Sequence, residues 1–199
     1  MTEFKSSGKY IYIIISQTGS IVSKWLKTFT KDEYNHVSIS LDEALDEMCS
    51  FGRYYAYFPF WGGFVKESTK MGSLKRFKDT KSIIIKLKVN EENVNGVRLR
   101  INEMFASKRK YRYDMLGVVL AKFGKNKKRK YRYYCSEFVK EILIENGILN
   151  REDCPEIMKP MDFVNVKEGE LIYEGSLHEY CKNLTKIKAW NYEKDNKNG

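Results

Sequence analysis

Asn35-His36-Val37-Ser38-Ile39-Ser40-Leu41 alternates with a period of two: Val37, Ile39 and Leu41 share one face, and His36, Ser38 and Ser40 share the other. A helix would scatter these residues around its axis, so the stretch reads as a strand that presents a histidine among small hydroxyls. Toward the N-terminus, Tyr10 to Ile15 is an unbroken β-branched and aromatic run, the pattern of a strand buried on both faces and central in its sheet. Thr18-Gly19-Ser20 supplies a turn and an N-cap, and Ile21, Val22, Trp25, Leu26 and Phe29 then recur at helical spacing, predicting a first helix. Toward the C-terminus, Met48 to Phe51 lies beyond the acidic segment Asp42 to Glu47 and reads as a paired strand that Gly52 ends.

Residues 53–72 carry aromatics and glycines without a period and are expected to form an ordered loop or lid. Ser82 to Val89 alternates again as a half-buried strand. Val94, Val97, Ile101, Met104 and Phe105 mark a helix from Glu91 to Ala106. Asp114 is placed to cap a short helix through Phe123. Phe138, Val139, Ile142 and Leu143 form an amphipathic helix that begins at Cys135 and stops at Asn146-Gly147, a C-cap signal. The expected architecture is α+β, with a mostly antiparallel sheet from the strands at Tyr10, Asn35, Met48 and Ser82 and the Cys135 helix packed against it. One domain spans 1–181, and 182–199 is a polar tail expected to fray apart from Trp190 and Tyr192.

Of the 199 residues, 42% are hydrophobic and 14% aromatic, enough apolar surface for a core and too much for a disordered chain. The longest apolar run falls far short of the roughly 20 residues that cross a bilayer. Met1 to Lys9 lacks the basic, apolar and small-residue order of a secretory signal, so a cytoplasmic protein is expected. Cys49, Cys135, Cys154 and Cys181 form no C-x-x-C pair and have only His36 and His178 to join them, which argues against zinc and a disulfide framework; no metal or other cofactor is implied.

The net charge of +10 is local. Between Lys108 and Arg132 stand 11 Lys or Arg and a single acid, Asp114, while the rest of the chain balances at 25 of each sign. This stripe is interleaved with Tyr111, Tyr113, Tyr131, Tyr133 and Tyr134, which suits an anionic partner such as nucleic acid or a lipid headgroup surface. The plainer reading is a pair of solvated lysine-rich loops.

Tyr133-Tyr134-Cys135-Ser136-Glu137-Phe138-Val139 puts a thiol in the first turn of a helix, where unpaired N–H groups and the helix dipole favour a thiolate. Cys135 is therefore a candidate nucleophile and His36 its candidate base, since such a pair needs proximity in space and not in sequence. The alternatives are a buried small hydrophobe for Cys135 and a hydrogen-bonded surface residue for His36. His178 is the rival base. Backbone N–H groups at the helix start are the simplest oxyanion donors, and Tyr134 and Ser136 are candidates for contact with oxyanion or substrate.

Four segments carry a resemblance: Asn35 to Asp42, Ser50-Phe51-Gly52-Arg53, Gly62-Gly63-Phe64-Val65-Lys66-Glu67, and Tyr134-Cys135-Ser136-Glu137-Phe138-Val139. Together they resemble the permuted papain-like amidases of the YiiX group, relatives of the NlpC-type cysteine peptidases and of lecithin retinol acyltransferase. The likeness runs in order from about Tyr10 to Tyr180, and it implies a permuted papain-like fold with His36 as base and Cys135 as nucleophile. The family's third polar group, often glutamate, follows on the next strand. Ser50 occupies that stretch here and is the expected third member, with Glu47 and Glu67 as the alternatives; Arg53 and Glu67 are expected to pair across the aromatic loop. The implied activity is a cysteine hydrolase acting through a thioester on an amide or ester of a small molecule, lipid or peptide. A thioester-forming acyltransferase is the close variant. A non-catalytic module that grips nucleic acid or anionic membrane through residues 108–132 is the alternative from another class.

Overall fold

Tyr10–Ser16 forms β1, and every residue from Ile11 to Ser16 is buried, as its unbroken apolar pattern requires. Around it lies a six-stranded sheet of β2 (His36–Ser40), β3 (Met48–Arg53), β4 (Gly62–Glu67), β5 (Lys81–Lys88) and β8 (Gly169–Ser176), in the order β4-β3-β2-β1-β5-β8. All five pairings are antiparallel. The structure, a computed structural model, describes residues 10–17, 33–54, 61–70, 74–75, 77–125 and 127–197. The helix expected from Ser20 to Phe29 lies outside them.

Among the described residues the α-helices are α1 (Glu91–Ala106), α2 (Met115–Lys122), α3 (Cys135–Glu145) and α4 (Leu177–Lys197), and a two-residue parallel pair joins β6 (Arg112–Tyr113) to β7 (Arg132–Tyr133). Alternation along β1 sends Ile11, Ile13 and Ile15 into one apolar layer with Val37, Ile39, residues Val97 and Ile101 of α1, and Phe138 and Ile142 of α3. Tyr12 and Ile14 turn to the other layer, with Ile84 and with Leu177 and Tyr180 of α4. Helices thus cover both faces of the sheet, which is why its central strand β1 reads as a continuous apolar run. Ile13 is fully buried and pairs with Ile39 on one side and Ile85 on the other. Ile13→Ala is expected to cost about 3–4 kcal/mol, read as a lower urea midpoint at unchanged slope.

Two expectations need correction. The stretch 53–72 is not an irregular loop throughout: residues 62–67 are β4, paired to β3 from Met48↔Glu67 to Arg53↔Gly62. Its glycines disguise it, and they are there for space. A Cβ on Gly62 would lie 2.4 Å from the Gly52 carbonyl oxygen, and one on Gly63 would lie 2.6 Å from that of Tyr111. Residues 182–197, expected to fray, instead continue α4 through Lys197. Trp190 is 62% exposed on it, and the side chain of Tyr192 lies outside the described residues. Among the described residues no helix is long and apolar enough to cross a membrane.

Candidate active site

α3 packs across β2 and β3, so its first residue, Cys135, meets the first residue of β2, His36. The thiol lies beside the imidazole and is among the groups that raise the pKa of His36. His36 Nε2 is 2.9 Å from Glu67 Oε1 and 3.1 Å from Oε2. With Nε2 given to the carboxylate, Nδ1 is the ring nitrogen left for the thiol. Ser38, two residues along β2, donates from its hydroxyl to Glu67 Oε2 at 2.5 Å, so the carboxylate is held from two sides. The row Cys135–His36–Glu67 has the pattern of nucleophile, base and orienting acid.

Burial alone would lower the pKa of His36, but the Glu67 charge, together with hydrogen bonds to Cys135 and Glu67, raises it well above the usual imidazole value. Burial pushes Glu67 in the opposite direction from its partner: it favours the neutral acid, and the His36 charge and the bonds from His36 and Ser38 overcome it, holding the carboxyl below its ordinary value. Each side chain is only 12% exposed, so the pair is poorly screened. The fold thus favours imidazolium and carboxylate together.

The expected third member, Ser50, is elsewhere. It is fully buried, and its hydroxyl donates to the Val37 carbonyl at 2.7 Å, a cross-strand bond just beyond the two backbone pairs, Ile39↔Cys49 and Ser40↔Met48, that join β2 to β3. Glu47 is turned to Lys66. The carboxylate at His36 is Glu67, brought there by β4; its partners are His36 and Ser38 and not Arg53. His178 stands in the first turn of α4, whose Leu177 and Tyr180 pack in the layer of Tyr12 and Ile14; both its ring nitrogens are buried, with no hydrogen-bond partner among the described residues. It takes no part in the Cys135 row.

Cys135 is 7% exposed and opens onto a cavity of about 330 Å³, with Tyr34, Tyr113, Tyr134, Ser136 and Met158 among its walls. Tyr134 and Ser136 therefore stand where a substrate contact requires. No side chain caps the first-turn amides of α3, because the N-cap position holds Tyr134. Burial raises the pKa of Glu137 in this first turn, and the Tyr134 backbone opposes the shift. The helix start at Cys135 thus keeps donors for a developing negative charge. Tyr113, which the sequence places only in the basic stripe, lies near the thiol: burial, then the charge on Cys135, raise its hydroxyl pKa, and Arg53 opposes them.

The other three thiols are all pushed up by burial: Cys49 strongly, Cys154 and Cys181 less. Limiting iodoacetamide at about pH 6.5 is therefore expected to mark Cys135 first, because an ordinary thiol of pKa about 8.5 is mostly protonated there. Peptide mapping that finds the first adduct on another cysteine would refute this. Among the described residues no cluster of three or more His, Cys, Asp or Glu side chains is arranged to hold a metal ion. Compared with models of known families, with curated proteins and with solved structures, the chain gives no match.

Proposed function

We propose that the chain is a permuted papain-like cysteine hydrolase that cleaves an amide or ester through a thioester. The observation that carries this reading is the row Cys135–His36–Glu67, its imidazole hydrogen-bonded to the carboxylate and beside the thiol, at the wall of a cavity and at an uncapped helix start. His36 holds the proton of Cys135, and the sulfur attacks the carbonyl carbon, forming the C–S bond and an oxyanion. N–H groups at the start of α3 stabilise that charge. Collapse breaks the C–N or C–O bond, and the imidazolium gives its proton to the leaving amine or alcohol. Water, or an alcohol or amine acceptor, then attacks the thioester and passes its proton to His36; the C–S bond breaks, the acyl product leaves, and the starting pair is restored with the proton on His36. Glu67 orients the ring and stabilises the imidazolium throughout.

An activated acyl ester such as p-nitrophenyl acetate tests the first half. The native chain should release a burst of nitrophenol and carry a hydroxylamine-labile acyl group on Cys135, and Cys135→Ala should do neither. Acylation at another residue, or none in the native chain, overturns the proposal.

A further inference from the structure

The outer side of α2 is apolar and uncovered. Leu116 is 53% exposed, Val119 38% and Phe123, the residue that ends the helix, 71%. Their spacing of three and four residues places them on one face. The opposite side is anchored: Asp114 caps the helix through Gly117 N–H at 2.6 Å and takes Arg129 Nε at 2.9 Å. The one acid of the 108–132 stretch is thereby 1% exposed and neutralised. The parallel pairing of Arg112 with Arg132 brings the two basic runs that flank α2 side by side. Arg109, Lys110, Arg112, Lys125, Lys127 and Lys130 are all exposed there. Tyr131, 39% exposed, lies beneath the Lys130 ammonium at 5.1 Å from its ring centre.

We infer that this face docks onto an anionic lipid bilayer, with Leu116, Val119 and Phe123 entering the headgroup and acyl boundary and the surrounding cations meeting the lipid phosphates. An apolar patch whose flanking segments carry exposed cations fits a bilayer better than a nucleic acid, because two of its three residues, Leu116 and Val119, cannot stack on bases and gain nothing from phosphates. The flank of α2 beside this face, Val118 and Ala121, lines the Cys135 cavity, so docking sets the cavity wall at the membrane surface. The docking face stands apart from the chemistry of Cys135.

Vesicle co-sedimentation tests it, with phosphatidylcholine vesicles made with and without phosphatidylglycerol. The full chain should bind the anionic vesicles, weaken as salt rises, and bind neutral vesicles at least tenfold less. Leu116→Asp with Phe123→Asp should lower anionic-vesicle binding about tenfold or more, and so should Lys125→Glu with Lys127→Glu and Lys130→Glu. Arg129 is left intact because it holds Asp114. Circular dichroism and the alkylation rate of Cys135 should be unchanged in both variants, which separates a failed docking face from a failed fold or a failed catalytic row. The inference is overturned if the chain ignores anionic vesicles, if the apolar substitutions leave binding unchanged, or if the chain prefers single-stranded RNA over the vesicles at equal ionic strength.

Discussion

Replacing His36 by alanine will slow iodoacetamide alkylation of Cys135 at about pH 6.5 by roughly tenfold or more and remove turnover of an acyl substrate by about a thousandfold or more. The first effect follows from charge. The ring is held as an imidazolium by Glu67 beside the sulfur, and alanine removes from a buried site the positive charge that would attract a sulfur anion. The second is larger because, in the mechanism proposed, the same ring also delivers the proton to the leaving group. The rival base gives a control: His178→Ala, on the α4 side of the sheet, should leave both rates within about twofold, a difference of less than about 0.5 kcal/mol. Equal losses from the two substitutions would mean that the Cys135–His36 contact does not govern the thiol.

The elements that carry His36 and Cys135 are legible in the sequence because each has a strong period and a physical stop. His36 alternates with Val37 and Ile39, and those two residues are fully buried in the layer that α3 covers. α3 repeats Phe138, Val139, Ile142 and Leu143 on its buried face and ends where Gly147 takes a φ of +66°. β1 reads as central because helices cover both faces of its sheet. β4 is concealed by the same glycines that let β3 and the Tyr111 backbone approach it, since strand patterns are recognised by side chains and Gly62 and Gly63 have none. β8 sits at the sheet edge with half-exposed residues and slips register against β5 between Ile84 and Ile85, so no clean alternation marks it. α4 is hidden for another reason: beyond Cys181 its visible side chains are largely exposed, and a polar helix leaves the same trace as a polar tail.

The third member of the row depends on β4, and its loss gives the second large effect. Glu67 is 31 residues from His36, and only the β3–β4 pairing carries it there, whereas Ser50 looks equivalent in sequence but spends its hydroxyl on the Val37 carbonyl. Glu67→Ala leaves a buried imidazole without its counter-charge and should cost about 3 kcal/mol of stability, while Ser50→Ala costs about 1 kcal/mol and leaves the rate unchanged. The pH dependence separates a charge effect from a packing effect. The folded carboxyl of Glu67 is held below its ordinary value of 4.5, so its contribution is present above that value and is lost as pH falls through the lowered one. The folded imidazole of His36 is held above 6.5, so its contribution is complete below 6.5 and is lost as pH rises through the raised value. The gap in Tm between the native chain and Glu67→Ala should therefore be widest between the two ordinary values, 4.5 and 6.5, and narrow on either side. Glu67→Gln keeps an acceptor for the ring but no charge, so it should restore much of the Tm while leaving turnover about a hundredfold down, because an amide cannot stabilise the imidazolium formed at each step. A Tm gap that is flat with pH, or a glutamine variant with native turnover, would mean that Glu67 only packs against His36.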